Sequence, residues 1–143
     1  MTSDPELGTT VLPPAMEASC RIGVDEMDSQ HVRIFHALQR LQESLEGPFP
    51  LETLGARLKL LEALVLEHFR DEEHLMECRG YPHVLPHRAE HELLIEKCHI
   101  LLGDYSTPGS PPLARLPEEL RDVFINHIQG VDMDYSRFLA EHP

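Results

Sequence analysis

Two pairs of metal-ligand side chains stand at one-turn spacing in the stretch HFRDEEHLMECRGYPHVLPHRAEH, residues 68–91. His68 and Glu72 are four residues apart, as are His87 and His91, and on an α-helix each pair shares one face. The intervening CRGYPHVLP holds Gly80, Pro82 and Pro86, which stop a helix and turn the chain. Two helices returning antiparallel would aim three imidazoles and a carboxylate at one interior point. That is half of a metal site. The complement is sought in His31 and in NHIQGVD (126–132), which supplies His127 and Asp132. Five residues at about 100° each leave those two side chains ~140° apart on a regular helix. A π-bulge around Gly130 would bring them together, and such bulges often mark functional sites.

The ten histidines sort into two sets. His31, His68, His87, His91 and His127 lie on apolar stripes, as does Glu72. His36 shares a face with Arg40 and Glu43, His74 with Glu67, Arg70 and Asp71, and His99 with Glu92 and Glu96, while His83 is in a turn and His142 near the last residue. This second set is expected to be solvated. One inward histidine alone reads as a hydrogen-bonded core residue. Five, with a carboxylate and no common partner, would strand buried polar groups at roughly 1–3 kcal/mol each. A metal removes that cost.

The elements that must position these groups are helical. Val24, Met27, His31, Ile34, Leu38, Leu41 and Leu45 recur at three- and four-residue steps until Gly47. GPFP (47–50) is a turn, with Pro50 suited to a first helical position. A second helix is predicted over 51–78, a third from Pro86 to Gly103, and a fourth from Pro117 to Ala140 with Leu120, Phe124, His127, Val131 and Phe138 inward. The connection at 103–117 is rich in proline and glycine. No stretch alternates like a strand. The fold class is therefore all-α, an antiparallel up-down-up-down four-helix bundle with a di-iron site in its core. Residues 1–20 read as a poorly ordered N-terminal arm and 21–143 as the bundle domain.

Composition narrows the function. With 12 basic and 25 acidic side chains among 143 residues, the formal net charge is −13. Such a surface argues against nucleic acid and anionic lipid as partners. No apolar run reaches the roughly 20 residues of a membrane span, and no basic-then-apolar leader opens the chain. A cytoplasmic monomer is expected. Cys20, Cys78 and Cys98 are odd in number and far apart, which argues against a disulfide framework.

Five imidazoles and two carboxylates exceed one structural zinc ion and suit two ions. If both carboxylates bridge and an oxide or hydroxide joins them, eleven of the twelve positions of two octahedral ions are filled, leaving one vacant for a small molecule. Mixed imidazole and carboxylate ligation suits iron or manganese. IGVDEMDSQH (22–31), HFRDEEHLM (68–76), YPHVLPHRAEH (81–91) and NHIQGVDMDY (126–135) resemble the motifs of the hemerythrins, above all the single-domain bacterial ones, over about residues 16–140. The resemblance implies that His87, His91 and His127 hold one iron, that His31 and His68 hold the other, and that Glu72 and Asp132 bridge. It also implies that dioxygen is the ligand, bound reversibly at the iron with two histidines, and that the protein is a carrier and not an enzyme. Phe35, Phe69, Phe124, Ile128 and Met76 are candidates for the surrounding apolar pocket. The chain departs from many bacterial members in having no tryptophan.

Other classes are weighed against this. A stand-alone dioxygen or nitric oxide sensor comes second, and a di-iron peroxidase follows from the same centre with a more open pocket. A ferritin-type oxidase needs two Glu-x-x-His pairs, whereas the chain has only Glu96–His99, on a polar face, and the variant Asp71–His74. A zinc module of His74, Cys78, Cys98 and His99 would leave the inward histidines unexplained.

Overall fold

A glycine and a carboxylate set the start of the first helix. Gly23 has φ +90°, a conformation open to glycine, and lets the chain swing so that the Ile22 and Gly23 amides donate to the Asp28 carboxylate at 2.7 and 3.3 Å. From there α1 runs Asp25–Glu46, α2 Leu51–Cys78, α3 Val84–Asp104 and α4 Leu116–His127. A π-helical turn, Ile128–Asp132, joins α4 to α5, Met133–Glu141, so the fourth rod is one helix with an inserted wide turn. The computed structural model describes residues 21–46, 51–104 and 115–142. The expected arm at 1–20, the turn at 47–50 and most of the long connection before α4 lie outside the described residues.

The α2 terminus shows why the chain reverses where it does. Gly80, at φ +71°, donates to Glu77 O at 3.2 Å, and Tyr81 donates to Met76 O at 2.9 Å. This pair of bonds is a Schellman cap, and its usual apolar contact is supplied by Tyr81 and Met76, both buried. The third helix begins at Val84, two residues before the expected start. Pro86 is tolerated there because first-turn amides have no helical acceptor to lose.

The rods pack in a ring, α1 on α2 and α4, and α3 on α2 and α4, the arrangement of an all-α four-helix bundle. Its core holds Met27, Ile34, Phe35, Leu41, Phe69, Met76, Phe124 and Tyr135. The five residues proposed from sequence as apolar pocket walls are all buried. No helix among the described residues is long and apolar enough to cross a membrane.

Two expectations need correction. His36 is buried, at 7 % exposure. The helix is covered well round its circumference here, with Ile34 to Leu38 all buried, and Arg57 of α2 reaches across to Arg40 O and Ser44 Oγ at 2.5 and 2.6 Å. Val131, expected inward, is only half-buried. The inserted residue of the π turn rotates it away and brings Asp132 and then Tyr135 into the core, each at 0 % exposure.

Candidate metal centre

All seven residues singled out from the sequence meet in the middle of the bundle, none more than 9 % exposed. α1 supplies His31, α2 His68 and Glu72, α3 His87 and His91, and the fourth rod His127 and Asp132. On α2 and α3 the four-residue spacing does the placing. On the fourth rod the π turn does it: an i→i+5 turn sets residues five apart one above the other, and His127 Nε2 lies 3.1 Å from Asp132 Oδ1.

The donor atoms fall into two overlapping groups able to hold a metal, each with its atoms within 4.8 Å of one another. One comprises Glu72, His87, His91, His127 and Asp132; the other comprises His31, His68, Glu72 and Asp132. The two carboxylates belong to both. Glu72 Oε1 is 3.0 Å from His87 Nε2 and 2.9 Å from His91 Nε2, and Asp132 reaches His87 Nε2 at 3.0 Å and His31 Nε2 at 3.4 Å. The Nε2 atoms of His31 and His68 are 3.0 Å apart.

Whether a cation fits is decided by the polar atoms left over. Glu72 Oε2, both Asp132 oxygens and Nε2 of His91 and His127 are buried with no hydrogen-bond partner among the described residues. His91 and His127 have carboxylate oxygens within 3.1 Å, so these contacts lack alignment and not proximity. Lone pairs aimed into a shared space without a proton between them are what a metal ion completes. The donor set fits a di-metal centre.

Charge agrees with geometry. Burial and the neighbouring Asp132 push the Glu72 carboxyl up, but hydrogen bonding by His87 and His91 outweighs them and leaves it below the usual value. Burial also works against the Asp132 carboxylate, yet His127, His31 and His87 hold it well below its ordinary range. Burial lowers His68 to about 4, keeping it a neutral donor. Burial acts on His87 in the same sense, but its bonds to Asp132 and Glu72 prevail and raise it to about 9, so that a metal entering here displaces a proton.

Two residues that sequence reasoning passed over orient these imidazoles. His68 donates through Nδ1–H to Gln30 Oε1 at 2.7 Å, and Gln30 Nε2 donates in turn to Asp71 Oδ2 at 2.9 Å. His91 donates through Nδ1–H to Glu73 Oε2 at 2.7 Å, and Arg88 Nε holds the other Glu73 oxygen at 2.8 Å. Because both acceptors are oxygens that cannot donate, each ring carries its proton on Nδ1 and keeps Nε2 for the centre. Gln30 precedes His31 and Glu73 follows Glu72, and that adjacency is the sequence signal they offered. Phe69 stacks on His91, centroids 3.8 Å apart and 7° from parallel, fixing the ring plane from its face.

The remaining histidines stay apart from this cluster. His74, His83, His99 and His142 are exposed, as expected. His74 lies 3.6 Å from Cys78 Sγ, and His99 faces Glu62 at 3.7 Å, so the imagined zinc set of His74, Cys78, Cys98 and His99 is not brought together.

Comparison with known proteins was made on this geometry. The family profile described as "Hemerythrin HHE cation binding domain" matches residues 22–139. A bacteriohemerythrin from Methylococcus capsulatus is 30 % identical over 113 residues, covering 79 % of this chain and 86 % of that protein. One from Pseudomonas aeruginosa is 35 % identical over 119 residues, covering 79 % and 72 %. A myohemerythrin from Theromyzon tessulatum is 29 % identical over 111 residues, covering 78 % and 81 %. No solved structure gives a significant match. A bundle with a di-iron-type ligand cluster consistent with reversible dioxygen binding, matched by a family profile over nearly all its described length, leads to one conclusion: the chain belongs to the hemerythrin family.

Proposed function

We propose that the protein binds dioxygen reversibly at a di-iron centre whose ligands are His31, His68, Glu72, His87, His91, His127 and Asp132, and that it stores, carries or delivers the gas without turning it over. Two ferrous ions supply the reducing equivalents that hold dioxygen and recover them on release. The chain's own residues do the rest. Glu72 and Asp132 stay ionised and offset the cationic charge, Gln30 and Glu73 fix two imidazoles, and Phe35, Phe69, Phe124, Ile128 and Met76 keep bulk water from the core. In this reading residues 21–143 act as one bundle domain, a cytoplasmic monomer with dioxygen as its ligand.

The observation that carries the proposal is the set of buried, unpartnered lone pairs shared by two overlapping donor groups. The relatives named bacteriohemerythrin and myohemerythrin support the same assignment. The test is metal content and colour. Protein loaded anaerobically with Fe(II) is expected to hold two irons per chain, to gain a visible band in air, and to lose it when the gas is removed, over repeated cycles. His68→Ala and Asp132→Ala should lose iron, and His99→Ala should not. Irreversible bleaching, or rapid consumption of peroxide, would overturn the carrier reading in favour of an oxidase or peroxidase.

A further inference from the structure

The imidazoles of the centre differ in how their outer nitrogens are held. His68 and His91 are clamped through Nδ1 by Gln30 and Glu73. His87 is not. Its Nε2 faces Glu72 and Asp132, while its Nδ1, on the other edge of the ring, is buried without a partner among the described residues. His87 is only 2 % exposed, yet it lines a cleft of about 550 Å³ between the α2–α3 turn, the first turns of α3, and α5.

The mouth of that cleft is built from acids and ligand-type side chains. Glu90, Asp134 and Glu141 line it with Arg137, His83 and His142. Arg137 is engaged by Asp134 at 2.6 Å. His142 donates through Nδ1 to Phe138 O at 3.0 Å, which leaves its lone pair on Nε2. The cleft beside His127 is different in charge, since Lys97 stands there with Glu90.

We propose that the cleft over His87 is the loading gate of the metal centre, a transit site for a hydrated divalent cation. The acidic mouth concentrates the cation, exposed His83 and His142 offer it transient nitrogen donors, and His87 passes it inward. His87 suits this step because its ring can turn without breaking a hydrogen bond on Nδ1, as the rings of His68 and His91 cannot. This rests on the two-metal reading above.

The experiment uses full-length protein carrying two Zn(II) per chain and follows exchange with isotopically labelled Zn(II). The triple variant Glu90→Gln, Asp134→Asn, Glu141→Gln changes only exposed side chains. At low ionic strength it should exchange ~10-fold more slowly than wild type, with the same final stoichiometry, because a negative cleft raises local cation concentration by about that order. High salt should abolish the difference. Lys97→Gln, at the other cleft, should leave the rate unchanged. Imidazole NMR gives a second reading: the Nδ1 proton of His87 should exchange with solvent faster than those of His68 and His91. Equal zinc exchange in wild type and triple variant, acceleration by Lys97→Gln, or a His87 proton as protected as the other two would each overturn the gate. A chain that saturates with fewer than two metal ions would instead overturn the metal centre itself, so the two failures are distinguishable.

Discussion

Replacing Glu73 tests whether the outer hydrogen bond of an imidazole tunes this centre. His91 Nδ1–H donates to Glu73 Oε2 at 2.7 Å, and the carboxylate is only 19 % exposed and held by Arg88 Nε at 2.8 Å. A hydrogen bond to a charged acceptor contributes about 1.5–3 kcal/mol and a neutral one about 0.5–1.5 kcal/mol. Glu73→Gln keeps an acceptor but removes the charge, so it should cost about 1–1.5 kcal/mol, near a tenfold loss in metal affinity. Glu73→Ala removes the acceptor and should approach the ~100-fold upper range for such outer partners. Glu77→Gln is the control, being 59 % exposed and 3.6 Å from Arg88, and should change nothing measurable. Competition of Co(II)-loaded protein with a chromophoric chelator gives each affinity, and the Co(II) spectrum reports the ligand field. The expected order of loss is Glu73→Ala, then Glu73→Gln, then Glu77→Gln level with wild type. If Glu73→Ala held both ions as tightly as wild type, His91 could not be a ligand oriented through its far nitrogen.

Deleting Gly130 should turn the π turn into a regular α turn and set His127 four residues from the aspartate, still on one face. Two metals per chain should remain, as measured by elemental analysis, and complete loss would show that the wide turn itself positions Asp132. Burial pushes the Cys98 thiol up to about 11, while Cys78 is exposed. Iodoacetamide near neutral pH should therefore label Cys78 and spare Cys98 until denaturant is added, as read by peptide mass mapping. In the metal-free protein, His87 raised to about 9 contributes stability that is full below pH 6.5 and lost as pH rises to 9. His68 lowered to about 4 works the other way, since below pH 6.5 the unfolded chain takes up a proton that the folded one refuses until pH 4. Each shift corresponds to about 3 kcal/mol, so urea midpoints should peak near pH 6.5 and fall on both sides. A midpoint that rose steadily from pH 4.5 to 9 would contradict this.

What could be read directly from the chain was whatever depends on spacing within one helix. His68 with Glu72 and His87 with His91 share faces because a helix repeats every 3.6 residues, and the misfit of His127 with Asp132 announced the wide turn later seen at 128–132. Helix ends at Gly80 and near Pro86 followed from backbone chemistry. Other features depend on how neighbouring helices are rotated and how far apart they lie, and no local period records that. Gln30 reaches His68 from 38 residues away and Glu73 reaches His91 from 18, so these clamps exist only once α1 is packed on α2 and α2 on α3. His36 looked solvated because its helix neighbours are charged, whereas burial there comes from covering nearly the whole circumference of α1. Val131 and Tyr135 exchanged places because one inserted residue rotates everything after it. The orphaned Nδ1 of His87 is likewise a tertiary fact: the sequence supplies the imidazole, and the packing of α3 beside α5 decides which of its two nitrogens is left without a partner.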